Sequence, residues 1–154
     1  KGDTGSAGAK GDTGAVGPSR SYFGSVTFAN PIAGSAASLG NSNAFGNFEA
    51  GKSYVVRLVL VGVYSGSDSY EWRLSVNSTG GAANVSVSYS MSTVNSFRSN
   101  IDTREINFHA DILVDGSETS NAYNLVATVQ HDTSGSSTVS VSGTFIATQV
   151  GSAN

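Results

Sequence analysis

From Tyr22 to Val150 apolar and polar residues alternate, and clusters of Gly, Asn, Asp and Ser interrupt the alternation at intervals. A period of two is that of an extended strand with its faces in different surroundings. The pattern predicts strands over Tyr22–Ala29, Phe45–Glu49, Ser53–Tyr64, Ser69–Val76, Ala83–Met91, Arg104–Val114, Ala122–Gln130 and Thr138–Val150. Turns are predicted at Ser65-Gly66-Ser67-Asp68, Ser78-Thr79-Gly80-Gly81, Asp115-Gly116-Ser117 and Asp132-Thr133-Ser134-Gly135. No segment carries a helical period. The fold class expected is therefore all-β, a sandwich or a jelly roll; alternation alone does not separate a jelly roll from an immunoglobulin-like sandwich.

The faces can be read within each strand. Ile106, Phe108, Ala110, Ile112 and Val114 share one side of their segment, with Asn107, His109 and Asp111 on the other. Val85, Val87, Tyr89 and Met91 alternate with serines, and Tyr123, Leu125, Ala127 and Val129 point one way. These are half-buried strands. Ser53–Tyr64 differs. Tyr54, Val56, Leu58, Leu60 and Tyr64 form one apolar face, and Val55, Val59, Val61 and Val63 form a second, broken only by Arg57. A sandwich buries one face of a strand, so this strand needs a second cover, from its own loops or from another chain. The expectation is a trimer interface on one of these two faces, with Tyr54, Val56, Leu58 and Leu60 as its candidate residues; alternation alone does not say which face it is. Apolar burial at ~25 cal/mol per Å² would offset the cost of association.

Ahead of this region Gly2, Gly5, Gly8, Gly11, Gly14 and Gly17 keep a strict three-residue period. In a collagen triple helix only Gly fits at the axis, which explains such a period; a flexible Gly/Ser/Ala linker does not require it. Lys1-Gly2-Asp3 and Lys10-Gly11-Asp12 place opposite charges around a glycine, where staggered neighbouring chains can pair them. At ~3.1 Å per residue the segment spans roughly 50 Å. Residues 1–19 are thus expected to be a collagen-like stalk and residues 20–154 an all-β head. The chain opens in mid-repeat, as a piece of something longer would. A stalk of this kind calls for three chains, independently of the second apolar face.

Composition narrows the chemistry. Charged residues make up 12% of the 154, and the net charge is −3. Without a cluster of Lys and Arg, neither nucleic acid nor an anionic membrane surface is an expected partner. The absence of cysteine removes disulfides, thiolate metal sites and thiol nucleophiles. The longest apolar run, Val55 to Tyr64, is interrupted by Arg57 and Gly62 and is too short for a spanning helix.

The segment from Phe45 to Tyr64, FGNFEAGKSYVVRLVLVGVY, resembles the central part of the TNF and complement-type globular heads, where a Gly turn leads into a long buried strand. The chain end, STVSVSGTFIATQV, is similar to their last strand, with Ser142, Gly143 and Phe145 at the patterned positions. That resemblance implies a jelly-roll β-sandwich forming a homotrimer at the C-terminal end of a short collagen-like triple helix. Similar stalk-and-head proteins occur in phage tail fibres and on bacterial spore surfaces. The function implied is a virion fibre whose head attaches to a host cell-surface glycan or protein, with upstream fibre or virion proteins as further partners. The alternative is a purely structural surface trimer.

Catalysis is not expected. The histidines are His109, in mid-strand beside Asp111, and His131, at a turn; no Gly-x-Ser-x-Gly elbow is present. Asp68, Asp115, Glu118 and Asp132 offer hard oxygen ligands without a metal-loop spacing, and no cofactor is expected. For ligand recognition, Tyr70 and Trp72 share a face that would stack on a sugar ring if turned outward and would pack in the core if turned inward. Ser92 to Asn100 is read as a longer loop, in which Phe97 and Arg98 are candidate ligand contacts.

Overall fold

The alternating segments fold into strands throughout a computed structural model that describes residues 20–30, 32–33, 38–65, 71–98, 101–132 and 138–150. In chain order these strands are β1 (Ser21–Thr27), β2 (Ile32–Ala33), β3 (Ser38–Asn41), β4 (Phe45–Phe48), β5 (Ser53–Ser65), β6 (Glu71–Thr79), β7 (Asn84–Arg98), β8 (Ile101–Asp115), β9 (Tyr123–Asp132) and β10 (Thr138–Val150). The described residues contain no helix, and so none long and apolar enough to cross a membrane. The glycine-repeat segment, with Gly2, Gly5, Gly8, Gly11, Gly14 and Gly17, lies outside the described residues.

Two antiparallel sheets form. One runs β1-β10-β5-β8-β7, with β2 also on β10; the other is centred on β9, which pairs with β3, β4 and β6. Side chains from both enclose one core. Tyr54, Val56, Leu58 and Leu60 of β5, Ile106, Phe108 and Ile112 of β8, and Phe145 and Ala147 of β10 meet Phe45, Phe48, Trp72, Leu74, Tyr123 and Leu125 from the second sheet. Rings touch across the gap: Phe45 to Phe145 at 5.1 Å, Phe48 to Tyr54 at 4.7 Å and Tyr64 to Trp72 at 6.4 Å between centroids. This is the arrangement of a β-sandwich.

Glycine is required where β10 crosses β5. Gly143 pairs with Leu60, and a Cβ there would drive into the Val59 carbonyl oxygen and the Leu60 side chain. Gly46 has φ +73°, a left-handed value that favours glycine, and a Cβ added there would run into the Phe48 ring. It sits where the β4–β9 register shifts between Phe45 and Phe48.

The two ends of the sandwich differ. Arg20 precedes β1 where β10 finishes: Ser21 pairs with Thr148, and the Gln149 N–H donates to the Arg20 carbonyl at 3.0 Å. Tyr22, Phe48, Tyr54 and Tyr123 cluster at this end, and the Tyr123 hydroxyl donates to the Lys52 carbonyl at 2.7 Å. At the opposite end gather β2, the starts of β3 and β6, the end of β5, the β7–β8 hairpin, the end of β9 and the start of β10.

Candidate functional site

The outer surface of the larger sheet is the feature that a solvated sandwich would not need. On β5, Val55, Val61 and Val63 are exposed and Val59 is half-buried. Leu113 of β8 lies directly opposite Val55, and Phe23 of β1 lies opposite Ile146 of β10. Phe23, Leu113 and Ile146 keep 87%, 59% and 57% of their surface in water. Their register puts them in adjoining rows: Phe23–Ile146–Arg57–Asp111, and beside it Thr148–Val55–Leu113. These exposed apolar side chains lie next to one another across four neighbouring strands. The serines and threonines around them are short, which leaves the face flat.

Arg57 and Asp111 cross the same face. The Arg57 Nε donates to the Asp111 carboxylate at 3.3 Å, with both side chains largely in water. Such an exposed pair contributes at most ~1 kcal/mol. His109 is exposed on β8 opposite Val59 and Ser90.

The interface expected through Tyr54, Val56, Leu58 and Leu60 is corrected. All four are buried against the second sheet of their own chain, so they are not available to a partner. The free face of β5 is the opposite one. The pairing explains the inversion: a strand holding Ile106, Phe108, Ala110 and Ile112 inward lies beside β5, and its outward Asp111 meets Arg57. Arg57 therefore faces solvent, and residues 54, 56, 58 and 60 face the core.

The expected ligand contacts also separate. Trp72 faces the core edge-on to Tyr64, so it offers no outward stacking platform. Tyr70 lies outside the described residues. Phe97 and Arg98 belong to no loop: β7 continues through Arg98, pairing Phe97 with Asp102 and Arg98 with Ile101. They stand at the hairpin end farthest from Arg20, and their side chains lie outside the described residues. Sequence reasoning missed Phe23 and Ile146. Their signal was parity, because each is out of phase with the buried Val26, Phe145 and Ala147 of its own strand.

Burial and hydrogen bonding set the notable titrations. Burial pushes the Tyr123 phenol well above the ordinary tyrosine range, and burial also raises Tyr54. Asp115 is held below the usual carboxylate range by Ser117, through its hydroxyl and its N–H, and by the Ser53 hydroxyl. These contacts brace turns at the Arg20 end. Among the described residues no three His, Asp or Glu side chains come together as a metal site. No family model matches the chain, and no curated protein or solved structure matches it.

Proposed function

We propose that this chain is part of a homotrimeric virion fibre, in which a collagen-like stalk of residues 1–19 carries a jelly-roll head that attaches to a host cell surface. The observation that carries the reading is the exposed apolar outer face of the larger sheet, set behind a strict glycine triplet repeat. Each calls separately for further chains, and the triplet repeat specifies three. The strand order supports a jelly roll: β1 and β10, from opposite ends of the head, are neighbours, and β10-β5-β8 faces β4-β9-β6.

Two unlike patches support a closed ring over a two-fold pair. The first is the outer face around Phe23, Val55, Leu113 and Ile146. The second lies at the β7 edge, where Tyr89 and Met91 are exposed on the core side of the sheet. Unlike patches that meet head-to-tail close when the rotation allows, and three copies match the stalk. The trimer would also direct the β7–β8 hairpin tips away from Arg20, placing Phe97 and Arg98 at the attachment end. Three weak contacts at one head gain avidity without any new contact.

Light scattering tests the assembly. A mass near three times 15.6 kDa is expected for the full chain. The double variant F23S/L113S is expected to lose the trimer while keeping its β circular dichroism. A monomeric wild type would refute the reading. Attachment is tested by cell and glycan-array binding of wild type and F97A/R98A, with loss expected in the variant. A purely structural trimer is the second reading, favoured by the burial of Trp72. It predicts the same mass with no cell binding.

A further inference from the structure

The glycine repeat runs into the head without a linker. Its last triplet, Gly17-Pro18-Ser19, is followed directly by Arg20, which the head holds by both backbone and side chain. We propose that Arg20 and Glu49 form a latch that fixes how each chain leaves the head, and so holds three stalk segments together as a triple helix. This rests on the stalk-and-head trimer reading above.

The Arg20 carbonyl accepts the Gln149 N–H at 3.0 Å, which carries the β1–β10 ladder one residue beyond Ser21 and Thr148. The Arg20 guanidinium donates to Glu49 Oε1 at 2.6 Å. Glu49 follows β4 and is held in its turn. Its N–H donates to the Tyr54 hydroxyl at 3.2 Å, and the Tyr22 hydroxyl donates to the same Oε1 at 3.4 Å. Tyr54 is buried and packs on Tyr22, Phe48 and Tyr123. The residue next to the repeat is thus tied to β10 directly, and to the end of β4 and the start of β5 through Glu49.

An exposed ion pair adds little to the stability of a fold, and the Arg20 and Glu49 side chains keep 69% and 44% of their surface in water. The ladder between β1 and β10 holds the head without it. The pair acts on direction instead. Six glycine triplets make a short stalk, whose chains stay together only if the head supplies them at high effective concentration. That concentration falls as the junction gains freedom. Little freedom remains here: the Pro18 ring fixes its own φ, one residue follows, and Arg20 is latched. A flexible Gly/Ser linker at this place would keep three chains near one another without aligning them. Arg20 is therefore a positioning residue for the stalk.

Proteolysis after Lys10, inside the repeat, tests this, because a closed triple helix withholds its backbone from a protease. The full chain is digested with a lysine-specific protease and the cut after Lys10 is followed by mass spectrometry. A synthetic peptide of residues 1–19 serves as the open reference. Wild type is expected to be cut more slowly than the peptide. R20E and E49R, which each set like charges together, are expected to be cut faster than wild type, with the fluorescence of buried Trp72 unchanged because both sites are exposed. The exchanged pair R20E/E49R is expected to restore the slow rate. Single variants protected as well as wild type would overturn the inference and leave the stalk reading standing. Faster cutting that the exchanged pair fails to reverse would overturn it too. A wild type cut as fast as the peptide would refute the stalk reading and this inference with it.

Discussion

Leu58 and Val61 stand three residues apart on β5 and face opposite ways. Leu58 retains 0% of its surface in water, between sheets of its own chain, whereas Val61 retains 37%. Replacing Leu58 by Ala removes buried methyl groups and leaves a cavity that close-packed neighbours only partly fill. For a site this enclosed the loss is ~2–5 kcal/mol. In a head of this size that lowers the melting temperature by roughly 10 °C. Replacing Val61 by Ser alters an outward position, where a separate head should change by about 0.5 kcal/mol or less. In a trimer that covers this face the same change weakens association and makes stability depend on concentration. Urea unfolding at two protein concentrations, with light scattering on the same samples, separates these effects. L58A should lose midpoint at both concentrations, with an unchanged mass wherever it is folded. V61S should keep its dilute midpoint and lose mass on dilution. If V61S destabilised the dilute protein as much as L58A, the division of β5 into a core face and an outer face would be wrong.

Other consequences are equally direct. G143A should destabilise the head by ~1–3 kcal/mol or more, because the added Cβ meets the Val59 carbonyl in a central strand pair; thermal unfolding reads this. Y123F should cost ~1–2 kcal/mol in urea, because it removes the hydroxyl that donates to the Lys52 carbonyl. The raised Tyr123 phenol also has a pH signature. The folded head keeps a proton that the unfolded chain releases above about pH 10, so this stabilisation is complete below that value and declines as pH rises. Alkaline unfolding should therefore be shallower in Y123F than in wild type, with Tyr54 supplying a residual slope. Asp115 works the other way. Its lowered range favours the charged form in the folded head, so its contribution is present above about pH 4 and lost as pH falls. D115N should flatten the acid limb of stability against pH, measured by urea midpoints from pH 5 to pH 2.

Much of the fold was legible because alternation is a local signal. Thr138–Val150 has the bounds read from sequence, and the buried residues of β8 and β9 are those placed together on one face. Two kinds of strand escaped. Ile32–Ala33 and Ser38–Asn41 lie in a run of small residues with no alternation, and what makes them strands is pairing with β10 and β9. Ser92–Asn100 reads as loop because its apolar residues, Val94 and Phe97, do not alternate, yet β8 pairs with it from Ser92 to Arg98. In each case pairing with a neighbouring strand decides the conformation over local propensity.

The inversion of β5 has a different cause, and it bears on how an interface can be read at all. Both faces of β5 are apolar, so alternation within that strand cannot say which one meets the core. Tyr54, Leu58 and Leu60 fill the space between the sheets. The deciding information lay in the neighbour. Asn107, His109 and Asp111 must share the outer side of β8, and antiparallel pairing sets Arg57 opposite Asp111 on that side. Valine on β5, interleaved with that ion pair, is therefore a surface pattern: small enough to leave a flat sheet, and apolar enough to favour a cover. Trp72 is the complementary case, a residue that looks like a ligand platform by type and proves to be packing by position. On this sheet it is register with the neighbouring strand, and not side-chain type, that decides which face meets the core: Trp72 packs inside, whereas Phe23, also aromatic, stands outside on β1 opposite Ile146.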